Sequence, residues 1–331
     1  MTELEKYFDE YGVDLFINQA HWTKLPAYQI LLSKLCNVTT AMQFHVDLEY
    51  YAFEFTKLLI YRLADVLINL SETRREFWDN IGVRSYYVPH PVHIDNAKNF
   101  HGRDPKKISN TLLYVGRISS ASDKNTFAIF QILNEVKEVI PDIRLKVLGE
   151  IFDVNALPQI KKFITENHLE NNVEFLGYHK DVEPFYKSAD VVLNVSPSEG
   201  WGFVFVESKF YELPLVLYEL PDNELLRDGK GYVAVPQGDY KAAARAIVKI
   251  LTDTEFRCKL SAEARESIQS FIDYDIAGAW QKVFDDLDNN APVPPHNIEN
   301  EKIQTLLIKE ISKQKAQNQA LIAHLQSLMK R

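Results

Sequence analysis

Short apolar runs alternate along the chain with longer stretches whose apolar residues recur at helical spacing. Residues 13–18, 38–44, 64–70 and 85–89 are such runs and predict strands. Between them, 26–36 reads as a helix with Pro26 in its first turn. Residues 47–63 read as a long helix, and 71–80 as a helix capped by Ser71. Regular alternation of strand and helix predicts a parallel sheet. The polar stretch 90–110, in which Lys106 and Lys107 read as solvated, is a linker. The alternation then resumes, with strands at 111–118, 144–149, 173–177, 189–196 and 214–219 and an edge strand at 231–235. Helices are expected from Asp123 toward Ile140, with Asp123 as cap and Lys124 in the first turn, and at 158–167, 182–188, 240–251, 255–271 and 276–287.

One strand–loop–helix unit carries candidate chemistry. The apolar run 189–196 leads into Pro197, Ser198, Glu199, Gly200, Trp201 and Gly202. A helix of about three turns is expected to start near Phe203 and to be stopped by Pro214. Unpaired backbone N–H groups at a helix start, with the macrodipole, favour an anion. Gly200 and Gly202 allow a ligand to approach the backbone. Glu199 and Glu207 would repel a bare phosphate. They suit a ligand with a diphosphate in its middle and hydroxyls at both ends, because a carboxylate accepts from vicinal hydroxyls with both oxygens. On this stretch alone, a solvated loop Glu and a helix-capping Glu account for them equally well.

Glu199 and Glu207 also reproduce the E-x7-E pattern of retaining GT-B glycosyltransferases, family 4 in particular. Tyr114-Val115-Gly116-Arg117 followed by Lys124-Asn125 resembles that family's "vGR…KN" segment. Val147 to Gly149, Val173 to Gly177, and Glu224 with Asp228, Gly229 and Gly231 resemble its later motifs, in order, over about residues 111–287. Before these, residues 14–21, 43–47 and 64–71 resemble the second half of its N-terminal domain. The resemblance implies an α/β, GT-B-like fold: two Rossmann-like domains facing a cleft, the N-terminal one partial. The expected domains are 1–100 on the acceptor side, 101–290 holding the donor, and 291–331 as a Pro-rich linker and C-terminal helix. A complete first domain would be larger by roughly 80 residues. The last helix, 276–287, is expected to cross back to the first domain, with Trp280 pinning it.

The resemblance further implies a metal-independent retaining transfer of a sugar from a nucleotide-diphosphate sugar to a glycan or lipid-linked acceptor, in bacterial surface polysaccharide synthesis. Arg117 and Lys124 would neutralise the diphosphate, Glu199 would hold the transferred sugar, and His45 would help place the acceptor. Glu207 would hold the ribose, with Gly116, Gly177, Tyr178, Gly200, Trp201, Gly202, Phe203 and Val204 completing the donor site. Two departures bear on loop shape. Glu212 stands where the family usually has Gly, and Pro221-Asp222-Asn223 replaces a Gly-rich turn before Glu224.

Composition narrows the alternatives. The chain has 331 residues, 46% hydrophobic and 25% charged, as in soluble globular proteins. The net charge of −9 argues against a general nucleic-acid binder. No run is long enough to span a membrane, and the acidic start is unlike a signal peptide, so the expected location is cytoplasmic, or peripheral to the inner face of the membrane. Cys36 and Cys258, the two cysteines, read as reduced core residues. The D-x-D pairs Asp273/Asp275 and Asp286/Asp288 read as a cap and a solvated face, so neither metal nor cofactor is expected. A short heptad-like seam, from Ile311 to Leu328, and the open edge of a partial sheet are the expected routes to self-association or a partner chain. A non-catalytic nucleotide-sugar-binding subunit is the alternative reading. A phosphorylase or sugar synthase ranks below it, since no pyridoxal-phosphate lysine is marked.

Overall fold

The computed structural model describes residues 3–19, 25–45, 61–92, 104–119, 124–151, 153, 155–220, 222–289 and 319. The predicted helix at 47–63 lies almost wholly outside them, and the C-terminal seam outside them but for residue 319. The chain folds as two compact units, Met1–His90 with Asp275–Arg331, and Pro91–Tyr274. The helix α10 (Ile276–Asp288) belongs with the first unit, to which it was expected to cross back.

Among the described residues the first unit holds four parallel strands in the order β1-β2-β3-β4. These are β1 (Leu15–Asn18), β2 (Thr39–Gln43), β3 (Val66–Asn69) and β4 (Ser85–Tyr87). Helices α1 (Glu3–Tyr11), α2 (Leu25–Leu35) and α3 (Glu72–Asn80) accompany them, α1 being absent from the sequence-based expectation. Successive strand residues face opposite ways. Met42 and Leu67 join Ile30, Phe44, Phe77 and Trp78 on one face, where the Phe44 and Trp78 rings stack 5.7 Å apart. Ala41, Val66 and Ile68 face the other way and bury Val283 of α10, with Trp280 and Leu287 alongside. Asp286 is not a merely solvated residue: it accepts from Tyr86 Oη at 2.5 Å and Lys282 Nζ at 2.8 Å, joining α10 to β4. Ser71 occupies the N-cap position of α3, but its hydroxyl makes no capping bond.

The second unit is a six-stranded parallel sheet in the order β10-β9-β8-β5-β6-β7. Its strands are β5 (Thr111–Val115), β6 (Arg144–Leu148), β7 (Val173–Gly177), β8 (Val191–Asn194), β9 (Leu215–Tyr218) and β10 (Tyr232–Val235). Its helices are α4 (Phe127–Lys137), α5 (Ala156–Glu166), α6 (Glu183–Ser188), α7 (Phe203–Phe210), α8 (Tyr240–Thr252) and α9 (Thr254–Ile272). All four residues of β8 and of β9 are buried, as a parallel strand covered on both faces requires. Cys36 and Cys258 are half-exposed free thiols rather than core residues. No helix among the described residues is long and apolar enough to cross a membrane.

Helix α7 spans eight residues and ends earlier than Pro214. It closes in a Schellman arrangement: Glu212 N–H donates to Lys209 O at 3.1 Å and Leu213 N–H to Ser208 O at 2.9 Å. That geometry places Glu212 at φ 58°, the left-handed region that glycine adopts at no steric cost. The turn is thus kept although its usual residue is not, and the Cβ bears strain. Glu212→Gly should raise stability by about 1 kcal/mol in urea unfolding. An unchanged or lowered stability would show that the 4.0 Å contact of Glu212 with Arg265 outweighs the strain.

Candidate active site

In the second sheet the chain runs outward from β5 to β6 and β7, then returns to place β8 on the other side of β5. The order reverses between β5 and β8, and open parallel sheets bind ligands at the carboxyl ends of strands flanking such a reversal. Gly116 and Arg117 follow β5 directly, and residues 195–202 follow β8. The loop leaving β5 runs tight against the end of β6, where a Cβ on Gly149 would lie 2.1 Å from Gly116 O. Arg117 is exposed, and its carbonyl accepts from Tyr114 Oη at 3.2 Å.

Lys124 and Glu199 meet across the reversal. Lys124 Nζ donates to Glu199 Oε1 at 2.6 Å, with side-chain exposures of 24% and 16%. Lys124 is not in the first turn of a helix. Asn125 takes φ 47°, and α4 starts only at Phe127, so the expected conflict between Lys124 and a macrodipole does not arise. The half-buried ion pair takes its place as the reason for a cation here.

The loop then turns into α7 at Gly202, at φ 89° and ψ 70°. A Cβ there would sit 2.6 Å from the Phe205 ring, so only glycine fits. Trp201 is 3% exposed and packs edge-on to Phe271 of α9, with centroids 5.7 Å apart. Its ring is committed to the core, and only its backbone can serve a ligand. Gly200 and Val204 are half-exposed and Phe203 exposed at the start of α7. Glu207, one turn on, accepts from Tyr186 Oη of α6 at 2.5 Å through Oε2. Burial pushes its carboxyl pKa up, and the Tyr186 bond only partly offsets this. Tyr186 is fully buried and stacks on Tyr211. Gly177, at φ 72°, ends β7 and the exposed Tyr178 follows it, two strands from β5 and so about 10 Å to one side.

His45 lies in the first unit, just beyond β2. Its Nδ1 is 3.0 Å from His90 Nε2, the two rings 13° from parallel. One of the two nitrogens carries the proton and the other accepts. Burial lowers the His90 pKa, which favours its neutral form. His21 lies outside the described residues.

The model of the family of group 1 glycosyl transferases matches residues 95–267, which include both strands of the reversal and the whole of the loop and helix between Glu199 and Glu207.

The chain belongs to the group 1 glycosyltransferases.

Among relatives of the chain, the amylovoran biosynthesis glycosyltransferase AmsD of Erwinia amylovora is 27% identical over 221 residues, 63% of this chain and 60% of AmsD. The lipopolysaccharide core biosynthesis glycosyltransferase LpsE of Rhizobium meliloti is 29% identical over 140 residues, 42% of this chain and 40% of LpsE. The chain thus spans less than two thirds of either relative. Staphylococcus aureus TarM superposes with a TM-score of 0.68 at 17% identity, covering 85% of this chain and 57% of TarM. Anabaena HepE, solved with UDP and glucose, gives 0.67 at 17%, covering 86% of this chain and 80% of HepE. These likenesses establish the GT-B fold.

Sequence reasoning missed the roles of Tyr186 and Lys209 in this family member. Tyr186 lies 21 residues before its partner, on the short helix expected at 182–188, and no local signal pairs it with Glu207. Lys209, two residues past Glu207, is fully buried. It donates to Leu225 O and to Ser267 Oγ, the latter at 2.6 Å. Burial lowers its pKa to about 8, with Asp228 opposing the shift.

A carboxyl whose pKa is raised in the folded state destabilises the fold above that pKa, and the cost disappears as pH falls toward 4.5, its ordinary value. Glu207→Gln should therefore raise the melting temperature at pH 7.5, by an amount that shrinks as pH is lowered toward 4.5. A lower melting temperature at pH 7.5 would contradict this placement of the cost.

Proposed function

We propose that the protein is a retaining, metal-independent glycosyltransferase of the family 4 type. It moves a sugar from a nucleotide-diphosphate sugar to a glycan or lipid-linked acceptor in bacterial surface polysaccharide synthesis. The observation that carries this reading is the Lys124–Glu199 contact at the strand-order reversal, beside a helix that starts at a left-handed glycine. The diphosphate would lie at the start of α7, between its backbone N–H groups and the cations Lys124 and Arg117. Lys124 would exchange its carboxylate for phosphate, releasing Glu199 to the hydroxyls of the transferred sugar. Glu207 Oε2 already accepts from Tyr186, so a ribose hydroxyl would meet Oε1. Tyr178 would flank the base. The D-x-D aspartates are engaged elsewhere: Asp275 caps α10 through Gly278 N–H, and Asp286 bonds Tyr86. Partners bound through the sheet edge or the C-terminal segment remain part of the proposal.

In the transfer, the bond between the anomeric carbon and the β-phosphate oxygen breaks as the acceptor hydroxyl oxygen bonds to the same face of that carbon. The acceptor proton passes to the departing phosphate oxygen. The negative charge built on the leaving group is what the site must stabilise, and prepositioned cations and backbone N–H groups do so without reorganising. His45, hydrogen-bonded with His90, would help place the acceptor.

UDP, GDP and ADP should be compared by thermal shift. Ligand at about 100 times Kd adds roughly 2.7 kcal/mol of stability. One nucleotide should shift the wild type and fail to shift Glu207→Ala. Lys124→Ala should mainly lower kcat, and the product anomer, read by NMR, should match that of the donor. An inverted product would refute retention. Donor binding with no transfer to any acceptor would favour the non-catalytic subunit.

A further inference from the structure

The turn before Glu224 departs from the family pattern, and its Asn223 side chain is 4% exposed. Asn223 Nδ2 donates to Trp201 O at 3.0 Å and Glu199 O at 3.4 Å, while Oδ1 accepts from Leu225 N–H at 3.1 Å. Two carbonyls face the amide nitrogen and one N–H faces the oxygen, so the orientation of the side chain is unambiguous. One buried amide thus ties the backbone of the E-x7-E loop to the 3-10 turn Glu224–Leu226. The same turn is held from its other side by Lys209, whose ammonium donates to Leu225 O and to Ser267 Oγ of α9, with Asp228 Oδ1 at 3.5 Å. Lys209 is itself on α7. Loop, helix and turn therefore form one hydrogen-bonded unit, with Asn223 as the link that reaches Glu199.

We propose that Asn223 is a positioning residue for sugar recognition: by holding the carbonyls of Glu199 and Trp201, it sets where the Glu199 carboxylate meets the sugar of the donor. The inference rests on the reading of Glu199 as the sugar-holding carboxylate. Where the family pattern has a flexible Gly-rich turn, this chain has a side-chain clamp that fixes the loop before any ligand arrives. Preorganisation of this kind favours the sugar-bearing donor selectively. In the proposed pose the nucleotide and its diphosphate would contact other groups, namely Glu207, Lys124, Arg117 and the start of α7.

The test compares affinities for UDP, GDP and ADP with those for UDP-glucose, UDP-N-acetylglucosamine, GDP-mannose and ADP-glucose, by calorimetry. For the pair that binds the wild type, the ratio of bare-nucleotide Kd to sugar-nucleotide Kd measures the contribution of the sugar. Asn223→Ala should lower this ratio by about tenfold, the scale of one lost hydrogen bond to the loop, while bare-nucleotide affinity changes by less than about threefold. Asn223→Asp keeps the acceptor for Leu225 N–H and removes both donors, so it should lower the ratio with the turn retained. Equal losses for bare and sugar nucleotide, or an unchanged ratio in both variants, would overturn the proposal. Glu199→Gln tests the underlying reading separately. If it leaves the ratio unchanged while the Asn223 variants lower it, Glu199 is not the sugar-holding group and the loop acts through another atom. If no sugar nucleotide binds the wild type, the donor-site reading and this inference both fall.

Discussion

The reversal of strand order between β5 and β8 is the constraint on which the second unit depends. Parallel strands must be joined by crossovers, and a chain that extends one way and then returns sends its connections to opposite faces. The carboxyl ends of β5 and β8 are left between connections that diverge. Every group with candidate donor chemistry in this unit, apart from those at the end of β7, follows one of these two strands or lies in the helix beyond. The Lys124–Glu199 contact spans 75 residues of sequence but only the width of that opening.

Around it, polar groups are buried at a cost that core packing alone would not explain. Glu207 is driven toward its neutral form, Lys209 is fully enclosed, and Asn223 has a single possible orientation. Each is hydrogen-bonded, as burial demands. Asn223 ties down the backbone of a loop containing Gly200 and Gly202. Stability is spent there, and perturbed carboxylates cluster at functional sites.

The first unit solves a different problem. Four strands give a small sheet, and α10, although it follows the second unit in sequence, packs on that sheet through Val283 and through Asp286. A helix returning from the far end of the chain supplies burial that local segments do not. The His45–His90 pair stands at the carboxyl side of this sheet, beyond β2 and β4, and is held by proximity of two strand ends rather than by neighbours in sequence.

Strand positions were legible because buried parallel strands are short, apolar and bounded by polar turns. β7 was read to the residue, and β5, β6, β8 and β9 to within a few. The Gly202–Phe203 helix start was equally legible, since glycine and the following apolar run are local signals. Helix α1 escaped notice because its nine residues are largely charged and bury only Phe8. The inward turn of Trp201, the Tyr186 bond to Glu207, the Asn223 clamp and the place of Lys124 outside a helix were not legible. Their partners are tens of residues away, and only strand order and crossover direction bring them within reach. The sequence by itself determined which elements form and which residues could do chemistry. Tertiary structure alone decided which of those residues meet, because contact is set by sheet order, and sheet order leaves no periodic trace in the chain.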